Sequence, residues 1–322
     1  MAMEKSIISF PKQFEFRQKI QNSGNLKSAE NFIVAGMGGS SFPAELLKIA
    51  HPELNLTVWK SYDLPPITYN LSPKSLIICS SYSGNTEETL SAFEKARKQK
   101  LNLAVVGMGG KLLSLAKKNK IPYIQIPNIK IQPRMATGFF ISALSKFMNL
   151  KSEKELFALS KTLKPVEWQK KGKALSEILW DQLPILFASE KNFALARVWK
   201  IKFNESTKIP SFANFIPELN HNEMTGFDAI KTTSSLSSGF HFIFLEDSSD
   251  HPRIKRRFAV TKKILNAKGL NLSSVSLTGK NIWQKIFNST LLADWTAFHL
   301  AKYYGVDSES IPVVEEFKRL IK

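Results

Sequence analysis

The segment LIICSSYSGNTEETLSAFEKA, residues 76–96, constrains the fold of this chain more than any other. Its first four residues are apolar, and this length and composition are typical of a short buried strand. A polar loop, Ser80–Thr86, follows, and Glu87 and Glu88 then open a segment whose apolar positions have helical spacing. The segment therefore predicts a strand, a tight turn and a helix in direct succession.

The loop in this segment has the features of an anion-binding site. A helix N-terminus offers unpaired amides and the positive end of the helix dipole, and the hydroxyls of Ser81, Ser83 and Thr86 add neutral donors. The loop contains no lysine and lacks the GxxxxGK(S/T) spacing of a nucleoside-triphosphate P-loop. These donors suit a phosphate monoester on a small molecule, although the same pattern is also typical of an ordinary helix with a hydroxyl cap.

A glycine turn ends the first predicted strand. Residues 31–35, NFIVA, run directly into GMGGSS, and a helical pattern follows. The glycines at 36, 38 and 39 do not match the GxGxxG spacing of dinucleotide-binding folds. Further strands are predicted at 56–59, 75–79, 102–106 and 123–126, with helices between most of them. Strands alternating with helices predict a parallel sheet, and both polar loops then lie at its carboxyl edge, where such sheets bind ligands.

The same alternation returns in the second half of the chain. Strands are predicted at 185–188, 239–245 and 272–277, and helices at 191–203, 252–268 and 282–304. Residues up to about Gly24 are predicted to form a helical arm without chemistry of its own, and residues 149–184 a helical linker. The chain is therefore predicted to be α/β, with two doubly wound parallel-sheet domains at residues 1–150 and 151–322.

Composition restricts the class of protein. The chain has 322 residues, of which 43% are hydrophobic, and no apolar run approaches the ~20 residues that a membrane span needs. The N-terminus lacks the apolar core and the cleavage site of a signal peptide. The single cysteine, Cys79, cannot build a disulfide framework or a zinc site, and its apolar neighbours predict a buried hydrophobic residue. We therefore expect a cytoplasmic protein without a membrane partner.

The net charge of +18 would suit a nucleic-acid-binding protein. The lysines and arginines are spread along predicted helices, however, and form no known motif. The densest group follows Pro252 and comprises Arg253, Lys255, Arg256, Arg257, Lys262 and Lys263. A solvated helix face is the favoured interpretation, and a positive field would steer an anionic substrate toward its site. We expect no nucleic-acid partner; the alternative predicts strongly salt-dependent retention on DNA or RNA.

Three polar residues stand in unusual local sequences. Arg134 opens a predicted helix in PRMATG, where the helix dipole disfavours a cation. Either Arg134 has a functional role, or it is an ordinary surface arginine. Glu205 lies at a predicted helix end in FNESTK, and on its own it would be a structural carboxylate. His221 lies in PELNHNE, outside any apolar periodicity, and no second His or Cys stands at ligand spacing, so we expect no metal there.

The sequence SSYSGNTEET resembles the phosphate loop of sugar isomerase (SIS) domains. The motifs GMGGS, PRMATG, FNESTK and PELNHNE resemble, in the same order and over nearly the whole chain, those of the bifunctional phosphoglucose/phosphomannose isomerases. The resemblance implies two flavodoxin-like SIS domains and an aldose–ketose isomerase of glycolysis and gluconeogenesis. Its substrates would be glucose, mannose and fructose 6-phosphates, interconverted through a cis-enediol(ate) without a cofactor or a metal.

The resemblance also implies residue roles. The residues that hold the sugar phosphate would be Gly39, Ser40, Ser81, Ser83 and Thr86. Glu205 would be the catalytic base between C2 and C1, and Arg134 would stabilise the enediolate oxygen. His221 would open the sugar ring in the active site of the neighbouring subunit of a homodimer, and Lys318 would assist it.

The chain departs from the family pattern at two positions. Ser206 replaces the second asparagine of the glutamate motif, and Ile311 occupies the position of a threonine that is credited with admitting mannose 6-phosphate. Lys318 follows Ile311 by seven residues, as the family's lysine does, with Lys302 as the alternative. Two other functions therefore stay open: an isomerase restricted to glucose 6-phosphate, and a non-catalytic SIS sensor. A sensor would keep the phosphate loop without needing the base, the histidine, the arginine and the lysine together.

Overall fold

The computed structural model describes residues 2–66, 72, 74–228 and 230–321. The chain begins with helix α1 (Ala2–Ser9) and divides into two compact units. The first unit spans residues 9–163, and the second spans residues 164 onward together with the segment through residue 8. The predicted domain boundary near residue 150 stays a prediction.

The first unit contains a five-stranded parallel sheet in the order β2-β1-β3-β4-β5. Its strands are β1 (Asn31–Ala35), β2 (Asn55–Trp59), β3 (Ser75–Ser81), β4 (Leu103–Gly107) and β5 (Tyr123–Gln125). Its helices are α2 (Gly38–Ala50), α3 (Glu87–Lys98), α4 (Gly110–Lys118), α5 (Thr137–Phe147) and α6 (Glu153–Thr162). The 3-10 helix Phe10–Glu15 belongs to this unit and contacts α5 and α6.

Burial explains why the central strands were recognisable from their composition. All seven residues of β3 are buried, as are all five of β4, because helices cover both faces of a parallel sheet. On one face the core contains Ile33, Ile77 and Val105 from the strands, packed with Phe93 and Leu112 from α3 and α4. The polar loops that follow β1 and β3 are therefore held by a rigid apolar layer.

The second unit repeats this plan with four parallel strands in the order β7-β6-β8-β9. Helix α7 (Gln169–Ile178) precedes its sheet, and the strands are β6 (Leu183–Ser189), β7 (Phe212–Ile216), β8 (Phe240–Glu246) and β9 (Asn271–Ser276). The remaining helices are α8 (Phe193–Lys202), α9 (Glu223–Gly226), α10 (Ser234–Ser237), α11 (Pro252–Ala267), α12 (Ile282–Tyr303) and α13 (Pro312–Leu320). Both sheets place the first strand of the unit between the second and the third, which is the flavodoxin-like order. The predicted fold class is confirmed.

Strand β7 is absent from the sequence prediction. Its residues, FANFI, mix apolar and polar positions, and the run lies between Pro210 and Pro217. It forms the edge of the second sheet, and Phe212 is half exposed there. An edge strand needs no continuous apolar run, because one of its sides faces solvent.

The longest helix, α12, lies in the second unit and has 22 residues, most of them buried. Among the helices of the described residues, none combines the length and the apolar character that crossing a membrane requires.

Candidate active site

The loops after β1 and β3 are bonded to each other. These strands pair directly, with Ala35 opposite Cys79. The hydroxyl of Ser80 donates to the carbonyl oxygen of Ser40 at 2.8 Å, and the amide of Tyr82 donates to the hydroxyl of Ser40 at 2.9 Å. The two predicted phosphate loops are therefore joined by hydrogen bonds, and the buried Ser40 makes both of them.

Hydroxyls line the turn from β3 into α3. The hydroxyls of Ser81 and Thr86 lie 2.9 Å apart, and the amide of Gly84 donates to the Ser81 hydroxyl at 3.1 Å. Thr86 is the N-cap residue of α3, yet its side chain makes no capping bond. Ser83 is exposed, and its hydroxyl accepts from the amide of Asn85 at 3.2 Å. The predicted phosphate-binding side chains are thus gathered at a helix N-terminus, and all of them are neutral.

Arg134 lies beside these loops and not on the surface. It belongs to a 3-10 helix, Pro133–Met135, and only 1% of it is exposed. A Cβ added to Gly39 would lie 2.7 Å from the amide nitrogen of Arg134, so the arginine turn packs directly on the first turn of α2. The alternative of a surface arginine is wrong.

The predicted helix in PRMATG begins later than expected. Helix α5 starts at Thr137, after the separate turn that contains Arg134. Ala136 joins the two with φ −91° and ψ 16°, which are not α-helical values. Arg134 therefore belongs to a turn that precedes α5 and not to the helix itself. Its positive charge still lies near the N-terminus of α5, where the helix dipole disfavours a cation.

Glu205 lies in the second unit, on a π-helical turn, Phe203–Thr207, that continues α8. π-Helical turns are frequent at functional sites, because the extra residue changes the direction of a side chain. Lys208 ends the turn with a left-handed backbone, φ 60°, and its ammonium donates to the carbonyl oxygen of Glu205 at 2.6 Å. The same ammonium donates to the carbonyl oxygen of Asp307 at 2.7 Å.

Lys208 therefore holds the turn of Glu205 against the segment that leads into α13. Sequence reasoning did not assign this role. The only signal was the presence of Lys208 in the motif FNESTK, because its contact with Asp307 spans 99 residues.

His221 is exposed and follows the 3-10 helix Glu218–Asn220. Its neighbours hold the turn: the Asn220 side-chain amide donates to the hydroxyl of Thr261 at 2.8 Å, and that of Asn222 donates to Glu218 at 2.6 Å. The exposed ring confirms that His221 is not a core residue.

A half-buried carboxylate lies two residues from His221. Burial raises the pKa of Glu223, and the hydrogen bond from the Asn214 side chain opposes this shift. Among the described residues, His, Cys, Asp and Glu side chains form no group of three that could hold a metal ion.

The C-terminal helix α13 carries the predicted lysine. Ile311 is its N-cap residue, and Lys318 is exposed. The alternative, Lys302, lies on α12 with its ammonium 5.1 Å from the ring centre of Phe298. The choice between the two lysines stays a prediction.

Two further expectations concern residues outside the site. Cys79 is completely buried in β3, and burial raises the pKa of its thiol, so the interpretation as a hydrophobic core residue is confirmed. The basic group after Pro252 lies on α11, where Arg253, Lys255 and Arg256 are exposed. These positions agree with a solvated helix face.

The chain is similar over nearly its full length to bifunctional phosphoglucose/phosphomannose isomerases. Residues 168–321 match the family described as bacterial phospho-glucose isomerase C-terminal SIS domain. A bifunctional phosphoglucose/phosphomannose isomerase of Aquifex aeolicus is 30% identical over 99% of this chain and 98% of that protein. One from Thermoplasma volcanium is 31% identical over 91% of each chain.

The fold is similar to that of tagatose-6-phosphate ketose/aldose isomerase from Escherichia coli, with a TM-score of 0.69 and 13% sequence identity. That match covers 97% of this chain and 95% of the other, and it supports the fold alone. The full-length identity to the curated relatives is the stronger finding. The chain belongs to the family of bifunctional phosphoglucose/phosphomannose isomerases.

Proposed function

We propose that the protein is an aldose–ketose isomerase that interconverts fructose 6-phosphate with glucose 6-phosphate and with mannose 6-phosphate. The relatives of this family carry the names of both activities. The observation that carries the proposal is the neutral hydroxyl cradle of Ser81, Ser83 and Thr86, with a buried Arg134 packed on the adjoining loop. Such a cradle suits a phosphate dianion, and the arginine supplies positive charge nearby.

The proton transfer is assigned to Glu205. A carboxylate removes the proton from C2 of the open-chain aldose and returns it to C1, which passes through a cis-enediol(ate). Arg134 stabilises the oxygen on which negative charge develops, an effect of about 3 kcal/mol by analogy with single oxyanion-hole donors. Reprotonation of the enediol at C2 on its other face gives the mannose epimer. None of these steps calls for a redox cofactor or a metal.

Ring opening is assigned to His221 of a second copy of the chain. An imidazole exchanges protons near neutral pH, and opening requires a proton to move from O1 to O5 of the cyclic sugar. His221 is exposed, and neighbouring side chains fix its turn, so its ring is free to enter another subunit. The protein is then a homodimer with two-fold symmetry, and Lys318 assists the histidine. We propose a cytoplasmic location in sugar-phosphate metabolism, on the pathways of glycolysis and gluconeogenesis.

A coupled spectrophotometric assay tests the activity. Fructose 6-phosphate is supplied, and glucose 6-phosphate and mannose 6-phosphate are detected in separate reactions. We expect both products, and Glu205→Gln should lower kcat about 100- to 10,000-fold, as the loss of a general base does. Glu190→Gln, which changes an exposed carboxylate in the same unit, is the matched control and should keep full activity. A sensor would give neither product with the wild-type chain, and retention of most activity by Glu205→Gln would remove the base from the mechanism.

A mixing experiment tests the shared histidine. His221→Ala and Glu205→Gln are each nearly inactive on cyclic substrate, but a mixed dimer contains one site with both residues intact. Random pairing should therefore restore about a quarter of the wild-type rate. If His221 acts within its own subunit, mixing restores nothing. An open-chain substrate needs no ring opening, so it should restore activity to His221→Ala but not to Glu205→Gln.

A second candidate function is an isomerase restricted to glucose 6-phosphate. The observation that favours it is Ile311, which brings a branched apolar side chain to the position where the family has a threonine hydroxyl. The separate detection of the two aldoses distinguishes the candidates directly. If mannose 6-phosphate is missing, Ile311→Thr should introduce it while leaving formation of glucose 6-phosphate within about threefold of wild type.

A further inference from the structure

Gln13 makes three hydrogen bonds to the junction between the Arg134 turn and α5. Its side-chain amide nitrogen donates to the carbonyl oxygen of Met135 at 2.7 Å. Its side-chain oxygen accepts from the amides of Gly138 at 3.0 Å and Phe139 at 3.4 Å. Gln13 is 3% exposed, and these contacts span 122 to 126 residues of sequence. One side chain thus bonds to both sides of the junction.

The junction needs such a partner. The first amides of an α-helix have no acceptor within the helix, and a polar N-cap side chain usually supplies one. The N-cap residue of α5 is Ala136, which has no polar side chain. The oxygen of Gln13 takes over this role, and its nitrogen binds the carbonyl of the residue directly after Arg134.

Two glycines allow the close contacts around the Arg134 turn. A Cβ at Gly138 would lie 2.8 Å from the Cβ of Gln13 and 3.0 Å from its side-chain oxygen. A Cβ at Gly39 would lie 2.7 Å from the amide nitrogen of Arg134. The distances of 2.8 Å at Gly138 and 2.7 Å at Gly39 are shorter than real Cβ contacts, so each glycine is required for close approach. Gly138 makes room for Gln13, and Gly39 makes room for the turn.

We propose that Gln13 is a positioning residue for Arg134, and that the N-terminal arm thereby takes part in catalysis. The proposal rests on the proposed isomerase function. Gln13 fixes the angle between the Arg134 turn and α5, and this angle decides where the buried guanidinium lies relative to the phosphate loops. No hydrogen bond joins Gln13 to Ser81, Ser83 or Thr86 among the described residues, so phosphate binding does not depend on it directly.

Gln13→Met is the main test, because it preserves the length of the side chain and removes all three bonds. A small displacement of a catalytic group costs rate more than substrate affinity, so we expect kcat to fall about 10- to 100-fold. KM for fructose 6-phosphate should stay within about threefold of wild type, since the phosphate donors are untouched. Gln13→Glu in its ionised form keeps the acceptor for Gly138 and loses the donor to Met135, so its kcat should lie between those of wild type and Gln13→Met. If Gln13→Met does not fold, this variant carries the test.

Asn102→Leu is the matched control. Asn102 also makes two side-chain bonds to distant backbone, donating to the carbonyl oxygen of Lys27 at 3.1 Å and accepting from its amide at 3.3 Å. It belongs to the same unit and contacts none of the site loops through these bonds. We expect an unchanged kcat and a smaller loss of thermal stability, because the bonds of Asn102 are exposed and those of Gln13 are buried.

A double-mutant cycle separates positioning from general stability. In the Arg134→Met background, Gln13→Met should lower kcat by no more than about twofold, because the group that it positions is already gone. A full 10-fold loss in both backgrounds overturns the proposal, as does wild-type kcat in Gln13→Met. A wild-type chain with no isomerase activity instead contradicts the proposed function, so the two failures are distinguishable.

Discussion

At the carboxyl edge of the first sheet, the hydroxyls of Ser81 and Thr86 bond to each other, and none of the predicted phosphate ligands is charged. At the same edge of the second sheet, Asp247 and Asp250 follow β8 and are almost completely buried. Lys285 donates to Asp247 at 2.7 Å, and Lys191 lies 3.4 Å from the same carboxylate. Two sheets with the same strand order therefore carry different side chains at this edge: neutral hydroxyls in the first sheet and paired charges in the second.

The proposed function assigns ligand binding to the first edge, and the ion pairs indicate a stabilising role for the second edge. Neutral donors at the first edge lose little when they are left without a ligand, because they bond to one another. At the second edge, the buried carboxylates are paired with Lys285 and Lys191. The side-chain amide of Asn192 donates to both Asp247 and Asp250, while its own Oδ1 and the Oδ2 of Asp250 are buried without a hydrogen-bond partner among the described residues. We therefore expect substitutions at the first edge to change kinetics and substitutions at the second edge to change stability.

The largest effect is expected at Asp247. Burial alone would raise the pKa of this carboxyl, but hydrogen bonds from Lys285, Ser249 and Asn192 outweigh it and hold the pKa well below the ordinary value of 3.8. The group therefore stabilises the folded state above pH 3.8, and this contribution is lost as the pH falls below that value. Asp247→Asn should lower the free energy of unfolding at pH 7 by about 3 kcal/mol, because it leaves buried partners uncompensated.

Denaturant unfolding at several pH values measures this change, and the isomerase assay supplies the second readout. Asp228→Asn is the control, because its carboxylate pairs with Lys268 on the surface, and the expected change is below about 1 kcal/mol. If Asp247→Asn instead raises KM for fructose 6-phosphate at unchanged stability, the second edge binds a ligand and the comparison fails.

At the first edge, Gly39→Ala should lower kcat/KM about 100-fold, equivalent to about 2.7 kcal/mol. The new methyl group meets the backbone of Pro133 and Arg134 at 2.7 to 2.9 Å, so the Arg134 turn must move. Gly24→Ala is the matched control, because no atom lies within 4 Å of its Cβ position. Equal kinetics in the two variants would mean that the packing of the arginine turn on α2 does not matter for the reaction.

Ser83→Asp sharpens the comparison by placing a carboxylate at the first edge, where the wild type has none among the predicted phosphate ligands. Ser83 is exposed, so the protein should fold with a carboxylate there. The negative charge opposes a phosphate dianion, and we expect KM for fructose 6-phosphate to rise about 30-fold with a smaller change in kcat. Ser83→Asn controls for size, and its KM should stay close to wild type. A salt-independent KM in Ser83→Asp would argue against phosphate binding at this loop.

The smallest effect is expected at Asp250, and its sign is opposite to that of Asp247. Burial raises the pKa of Asp250, against hydrogen bonds such as that from Ser189. Its charged form is thus disfavoured on folding, so stability rises as the pH falls through the raised pKa toward 3.8. Asp250→Asn should increase the unfolding free energy at pH 7 by up to about 1 kcal/mol, and the gain should fade in acid. A loss comparable to that of Asp247→Asn would show that the two carboxylates act as one unit.

Much of the molecule follows from local sequence. The strands at the centre of both sheets are continuous apolar runs, and the loops that follow β1 and β3 carry glycine and hydroxyl side chains. Strand β7 does not follow, because an edge strand lacks that apolar continuity. Prolines lie on both sides of it in the sequence, and because prolines also bound loops, they did not identify a strand.

The remaining site contacts have no local signature. Gln13 lies in an arm that gave no chemical signal, and its role depends on a contact across more than 120 residues. Asp247 and Asp250 lie in LEDSSDHP, which has the composition of an exposed polar loop. The network that buries them requires Lys191 and Lys285 from distant parts of the chain. Single-residue patterns cannot encode such pairings, because the partners are brought together only by the completed sheet.

The contact between Gly39 and the backbone of Arg134 limits how the enzyme can be redesigned. A Cβ at position 39 would lie 2.7 to 2.9 Å from the backbone of Pro133 and Arg134, so this position cannot be enlarged without displacing the Arg134 turn. A protein engineer who seeks a bulkier or longer phosphorylated sugar should therefore leave positions 39 and 134 fixed. Under the proposed function, Ile311 at the start of α13 is the position to vary when the accepted sugars are to be changed.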